Sequence, residues 1–155
     1  MAKGIPTLEE FLKEYDRNAD DAEVKLAEDE REELIARYPL EKWPTMPLDR
    51  YALGLGHNED SFCWWMEWGT PHAGSMRGGS SFKHIIFRQR DGSWYFDRKS
   101  YPNEQAAWEA IRAGFLDAFG KAERGEWALI DEIEAIETGP ALRTKTLHCY
   151  FPSKL

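Results

Sequence analysis

Charged and polar residues fill most of the first forty positions, with apolar side chains thinly spaced among them. Thr7-Leu8-Glu9-Glu10 has the form of a capping box, in which the Thr7 hydroxyl satisfies an orphan N–H and Glu10 reaches back. It predicts a helix from about Leu8 to Asn18. Asp20 or Asp21 opens a second, strongly acidic helix to about Tyr38, stopped by Pro39. Its apolar positions (Val24, Leu26, Leu34, Ile35) form one narrow stripe, so it is expected at the surface as the most mobile element. Trp43-Pro44 to Pro47 reads as a rigid connector, Leu48 to Leu53 as one helical turn, and Gly54 to Asp60 as a polar turn.

The pattern then changes. Residues 61–68 read SFCWWMEW, which predicts a strand with aromatics on both faces: Phe62, Trp64 and Trp68 one way, Trp65 the other. Such a strand is either buried on both sides or offers one side to a ligand as stacking surface. A small-residue loop, Gly69 to Ser81, carries the single cation Arg77. Phe82 to Gln89 reads as a second strand, and Asp91-Gly92 predicts a type I′ turn pairing it with Ser93 to Asp97. A two-residue turn sets Arg88 opposite Tyr95 and Phe87 opposite Phe96. Ile85, Phe87, Trp94 and Phe96 then make a core face, while His84, Ile86, Arg88, Arg90, Tyr95 and Asp97 make a face that is wet or binds a ligand.

Helical spacing returns after Asn103, a candidate N-cap. Ala107, Ile111, Phe115 and Phe119 mark the apolar side of a helix to about Arg124, ended by Gly125. A further helix is expected from Glu126 to about Glu137, and Leu142 to Phe151 reads as a closing strand. This order predicts an α+β fold: an antiparallel sheet with a central hairpin, packed by helices, plus an acidic N-terminal helical pair. Residues 1–42 form the acidic segment and 43–155 the α+β core, together one structural unit.

With 155 residues, 42% hydrophobic and 14% aromatic, one domain with a sizeable core is expected. No apolar run approaches the ~18 residues that span a bilayer. The opening MAKGIPTLEEF lacks the apolar stretch of a signal peptide, so a cytoplasmic location is expected. Two cysteines, Cys63 and Cys149, are too few for a disulfide framework and read as buried thiols. A net charge of −8 argues against non-specific nucleic-acid binding. Its distribution points the other way: residues 71–101 carry +4 and 139–155 carry +3, with the negative charge on the predicted helices. That asymmetry suggests an anion-facing surface.

Candidate chemistry is sparse. In GSMRGGSSFK (Gly74 to Lys83) the last glycine is followed by Ser80 and Ser81, so the Lys-Ser/Thr of a phosphate loop is missing. Backbone N–H groups with Arg77 and Lys83 could still hold one phosphate. His57, His72, His84 and His148 lack metal-ligand spacing, and no nucleophile motif is present. No cofactor is expected. Glu67 is either a carboxylate of raised pKa or one paired with Lys83 or Arg88.

DRYALG (49–54), SFCWWMEW (61–68), GSMRGGSSFKHIIF (74–87) and KTLHCYFPSKL (145–155) together resemble the N-terminal module found ahead of the AAA+ motor in McrB-type restriction NTPases. The likeness covers about residues 49–155. It implies a non-catalytic domain that recognises DNA for a restriction or defence system, with a modified base as one candidate target. It also implies a motor as partner, in the same chain or another; no Walker motif is present here, so no NTPase activity is expected. The expected DNA-contacting residues are Arg77 and Lys83 on phosphate, His84, Arg88 and Arg90 on the hairpin, and Trp64, Trp65 and Trp68 with Tyr95 as stacking surface, on duplex DNA. The rival readings are a protein-interaction module using the acidic helices, and a small-molecule-binding domain using Glu67 and histidines.

Overall fold

The computed structural model describes residues 17–56 and 60–154. The capping box at Thr7, almost all of the helix expected after it, and His57 lie outside these residues. The first described element is α1, Arg17–Arg37, closed by a Tyr38 N–H to Leu34 carbonyl bond of 2.8 Å just before Pro39. Leu34 and Tyr38 are buried in the common core. Glu30 ties the same helix to a distant loop, accepting from the backbone N–H of His72 (2.8 Å) and of Ala73 (2.9 Å).

Trp43 is the centre of the core. A 3-10 turn, Leu40–Thr45, buries its indole completely against Phe62 (4.9 Å) and Phe119 (5.1 Å), both edge-on. Its Nε1–H donates to the Tyr150 hydroxyl at 3.0 Å, and that hydroxyl donates to the Tyr38 carbonyl. Burying an indole needs such a partner, because an orphaned donor costs about 1–3 kcal/mol. Next, α2 (Leu48–Tyr51) packs Tyr51 on Trp108 at 4.4 Å and sends its hydroxyl to the His84 carbonyl at 2.8 Å.

The long helix forms as its spacing predicts. In α4, Glu104–Glu123, Asn103 caps the first turn by accepting the Ala106 N–H at 2.8 Å, and Ala107, Ile111, Phe115, Ala118 and Ala122 line the buried side. After Gly125 (φ +74) the chain makes only a short helix α5, Trp127–Ile130, and a 3-10 turn, Glu134–Ile136, instead of one continuous helix.

Two expected strands are helical. Residues 61–69 form α3 (Phe62–Trp64) running directly into a π-helical turn, Trp65–Gly69. Ser61 starts it, its hydroxyl accepting the Trp64 N–H at 3.4 Å. Phe62, Cys63, Met66 and Glu67 face inward, and Trp64, Trp65 and Trp68 face outward, a helical rather than alternating division. Residues expected as the closing strand form α6, Pro140–Tyr150, with Pro140 in its first turn, where the missing N–H costs nothing. Leu142, Lys145, Thr146, Cys149 and Tyr150 make its buried stripe.

The hairpin exists but is shorter and shifted. β1 (Phe87–Arg88) and β2 (Trp94–Tyr95) pair antiparallel, with Phe87 opposite Tyr95 and Arg88 opposite Trp94. Three residues rather than two make the turn: Gln89 N–H meets the Ser93 carbonyl at 2.7 Å, and Gly92 sits at φ +87. The one-residue slip puts Phe87 and Tyr95 on one face and Arg88 and Trp94 on the other. Ile86 and His84, expected on the open face, are both fully buried. The fold is α+β, helices packed around one antiparallel hairpin. Among the described residues no helix is long and apolar enough to cross a membrane.

Candidate nucleic-acid interface

The π-turn fixes the site. Its widened turn directs Glu67 inward and leaves the next residue, Trp68, 45% exposed. Such turns cost regular hydrogen bonding and recur at functional sites. The extra carbonyls are answered from α6: buried Lys145 donates to the Met66 carbonyl and to the Thr70 carbonyl (2.9 Å). Burial holds the Lys145 amine down at about 8.

Beneath Trp68 lies a charged cluster. The Glu67 carboxylate receives Lys83 Nζ at 2.7 Å on one oxygen and His84 Nε2 at 2.7 Å on the other. A carboxylate only accepts, so the His84 ring carries its proton on Nε2. Lys83 also donates to the carbonyls of Met76 (2.6 Å) and Gly78 (2.8 Å), which folds loop 74–80 around the ammonium. Burial pushes the Glu67 carboxyl up, but the bonds from Lys83 and His84 outweigh it and leave it below the usual 4.5. Burial likewise holds His84 below the usual 6.5, against the opposing pull of Glu67. Pairing with Lys83 was one of the two expectations for Glu67; a raised carboxyl is not what results.

Both shifts have the same sign. A histidine and a carboxylate with depressed folded-state pKa each stabilise the fold fully above their unfolded values and lose that contribution as pH falls through the folded ones. Melting temperature is therefore expected to decline from about pH 6.5 downward and more steeply below about 4.5. A thermal-denaturation series across that range checks it, and a flat profile would remove the cluster's energetic role.

Turning outward, Leu53, Gly54, Trp64, Trp68, Phe87, Arg88 and Arg90 line an open trough of about 900 Å³. Its hairpin wall is docked by one backbone bond, Arg88 N–H to the Leu53 carbonyl at 3.0 Å. Arg77 lies over the Trp68 ring, 5.2 Å from its centre. Arg88 lies over Trp94 at 5.6 Å. Phe82, 53% exposed, touches Phe87 (5.9 Å) and Tyr95 (4.5 Å), and Phe87 stacks on Tyr95 at 5.0 Å. In the trough itself the Trp64, Trp68 and Phe87 rings lie alongside Arg88 and Arg90, with Arg77 on the Trp68 face. Chemically the trough suits a planar guest carrying negative charge.

Of the nine residues named from sequence, Trp64, Trp68, Arg88 and Arg90 share the trough, Arg77 lies against Trp68, and Tyr95 backs Phe87. The other three lie elsewhere. Lys83 is spent on internal bonds and His84 is fully buried, so neither faces a phosphate. Trp65 meets Trp64 edge-on and is covered by Arg37 at 4.3 Å. Sequence reasoning missed Phe82, read as the first residue of a strand where the chain makes a 3-10 turn, Ser81–His84, and Phe87, assigned to the core by the wrong register. Among the described residues no three His, Cys, Asp or Glu side chains are grouped to hold a metal ion. No protein-family model, curated protein or solved structure matches this chain.

Proposed function

We propose that this chain is a non-catalytic DNA-recognition domain that works through the trough between the π-turn and the hairpin. The observation that carries this is the convergence there of Trp64 and Trp68 with Arg88 and Arg90, from two separate segments of the chain. Indoles supply stacking surface and arginines supply bidentate phosphate contacts. Resemblance to the front module of McrB-type restriction NTPases supports the same reading, with a motor as partner and a cytoplasmic setting.

Arg88→Ala and Arg90→Ala are each expected to weaken DNA binding and to lower the dependence of log K on log salt by roughly 1 per lost phosphate contact. Fluorescence titration of labelled DNA, plain and cytosine-modified, at two salt concentrations measures both. No binding to any DNA at low salt would end this reading and leave a protein-interaction role in front.

A further inference from the structure

We infer that the trough takes unpaired nucleotides, so that the DNA bound there is single-stranded. This rests on the DNA reading above and narrows it. Inside a duplex both faces of every base are covered by neighbours, so exposed aromatic side chains gain stacking partners only where bases are unpaired. Here the exposed rings are the site's main feature: Trp64, Trp68 and Phe87 line the trough, Trp68 about half exposed, and Phe82, also about half exposed, touches Phe87 at its edge.

Charge points the same way. Duplex binders collect an extended basic face that neutralises some 6–10 phosphates. This chain carries −8 overall. Among the described residues, Arg88 and Arg90 line the trough and Arg77 lies over its Trp68 ring, while Lys83 is turned inward and Asp91 lines the trough as well. Three arginines cannot supply the electrostatic term that a closed duplex uses, so stacking must contribute most of the affinity. The Asp91 carboxylate, repelled by phosphate, suits the amino edge of an exposed base.

The hairpin offers no alternative route into a duplex groove. Its strands are two residues each and its tip presents Asp91.

The test is fluorescence anisotropy of the full chain with a labelled mixed-sequence DNA strand and with its blunt-ended duplex, across a salt series. The single strand is expected to bind at least tenfold tighter than the duplex, with a salt slope of roughly −2 for three phosphate contacts. Trp68→Ala and Phe82→Ala, both surface changes, are each expected to lower single-strand affinity by roughly 5- to 150-fold, from about 1–3 kcal/mol of stacking. Phe82→Ala should leave the salt slope unchanged. Equal or tighter binding of the duplex would overturn the inference while leaving DNA recognition intact. Loss of neither affinity nor indole quenching in the two variants would also overturn it. Failure of both DNAs to bind would overturn the underlying reading.

Discussion

Replacing Glu67 with alanine is expected to cost about 3–5 kcal/mol of folding stability, the range for removing one partner of a buried ion pair. Glu67 is 8% exposed, and of the two groups it leaves behind His84 is fully buried and Lys83 partly so. Lys83 would keep two carbonyl partners but lose its counter-charge; His84 would lose its only partner on Nε2. At this chain length each kcal/mol moves the melting temperature by about 2–4 °C, so a fall of roughly 6–20 °C is expected. Glu67→Gln should cost clearly less, because the amide oxygen can still accept from Lys83 and the amide nitrogen can donate to the other histidine tautomer. Parallel urea titrations of the two variants decide the matter. A loss below about 1 kcal/mol for alanine would mean the pair behaves like a solvated surface one.

The consequence reaches the trough. Glu67 and Trp68 are adjacent on the π-turn, and Lys83 gathers the loop that carries Arg77. Loosening the cluster frees both the indole and the guanidinium that the trough presents. Weaker nucleic-acid binding should accompany the lower melting temperature, although none of the cluster's three groups touches the guest.

What the sequence made legible follows from where its periodic signals are clean. The helix after Asn103 was readable because cap and apolar stripe agree, and α1 because Pro39 ends an acidic helical run. The tryptophan segment was not, because aromatics favour strands and three indoles in eight residues overwhelm the helical period. Phe62, Cys63 and Met66 do recur at helical spacing; the polar Glu67 that follows them disguises the buried side. Lys145 hides α6 in the same way, sitting in the stripe Leu142, Lys145, Thr146, Cys149 where a helix should show an apolar residue. In both cases a buried charge with specific partners broke the pattern, and those partners come from distant segments. The hairpin was found from Asp91-Gly92, but turn length was not encoded by that dipeptide, and one residue of slip exchanged the two faces. Trp64, Trp68, Arg88 and Arg90 were legible as chemistry; that they face one another was not, since it depends on the π-turn and on Gly54.

Gly54→Ala is expected to cost about 3 kcal/mol, against about 1 kcal/mol for Gly56→Ala two residues later. Both glycines have positive φ, +96 and +81, a region where an alanine pays roughly 1–2 kcal/mol. They differ in surroundings. A Cβ on Gly54 would sit 2.1 Å from the Arg88 carbonyl oxygen and 2.9 Å from the Arg88 Cβ, whereas one on Gly56 meets nothing within 4 Å among the described residues. The obstacle at Gly54 is backbone, so no rotamer change relieves it; the hairpin must move away from the 52–54 segment. That movement breaks the Arg88 N–H to Leu53 bond and shifts Phe87, Arg88 and Arg90 together. Gly54→Ala should therefore weaken single-strand DNA binding beyond what its stability loss explains, while Gly56→Ala leaves affinity unchanged. Paired melting curves and anisotropy titrations, run well below each variant's melting temperature, separate the two effects. Equal stability losses at both positions would show that the hairpin is not held against this glycine, and the trough would then lack its second wall.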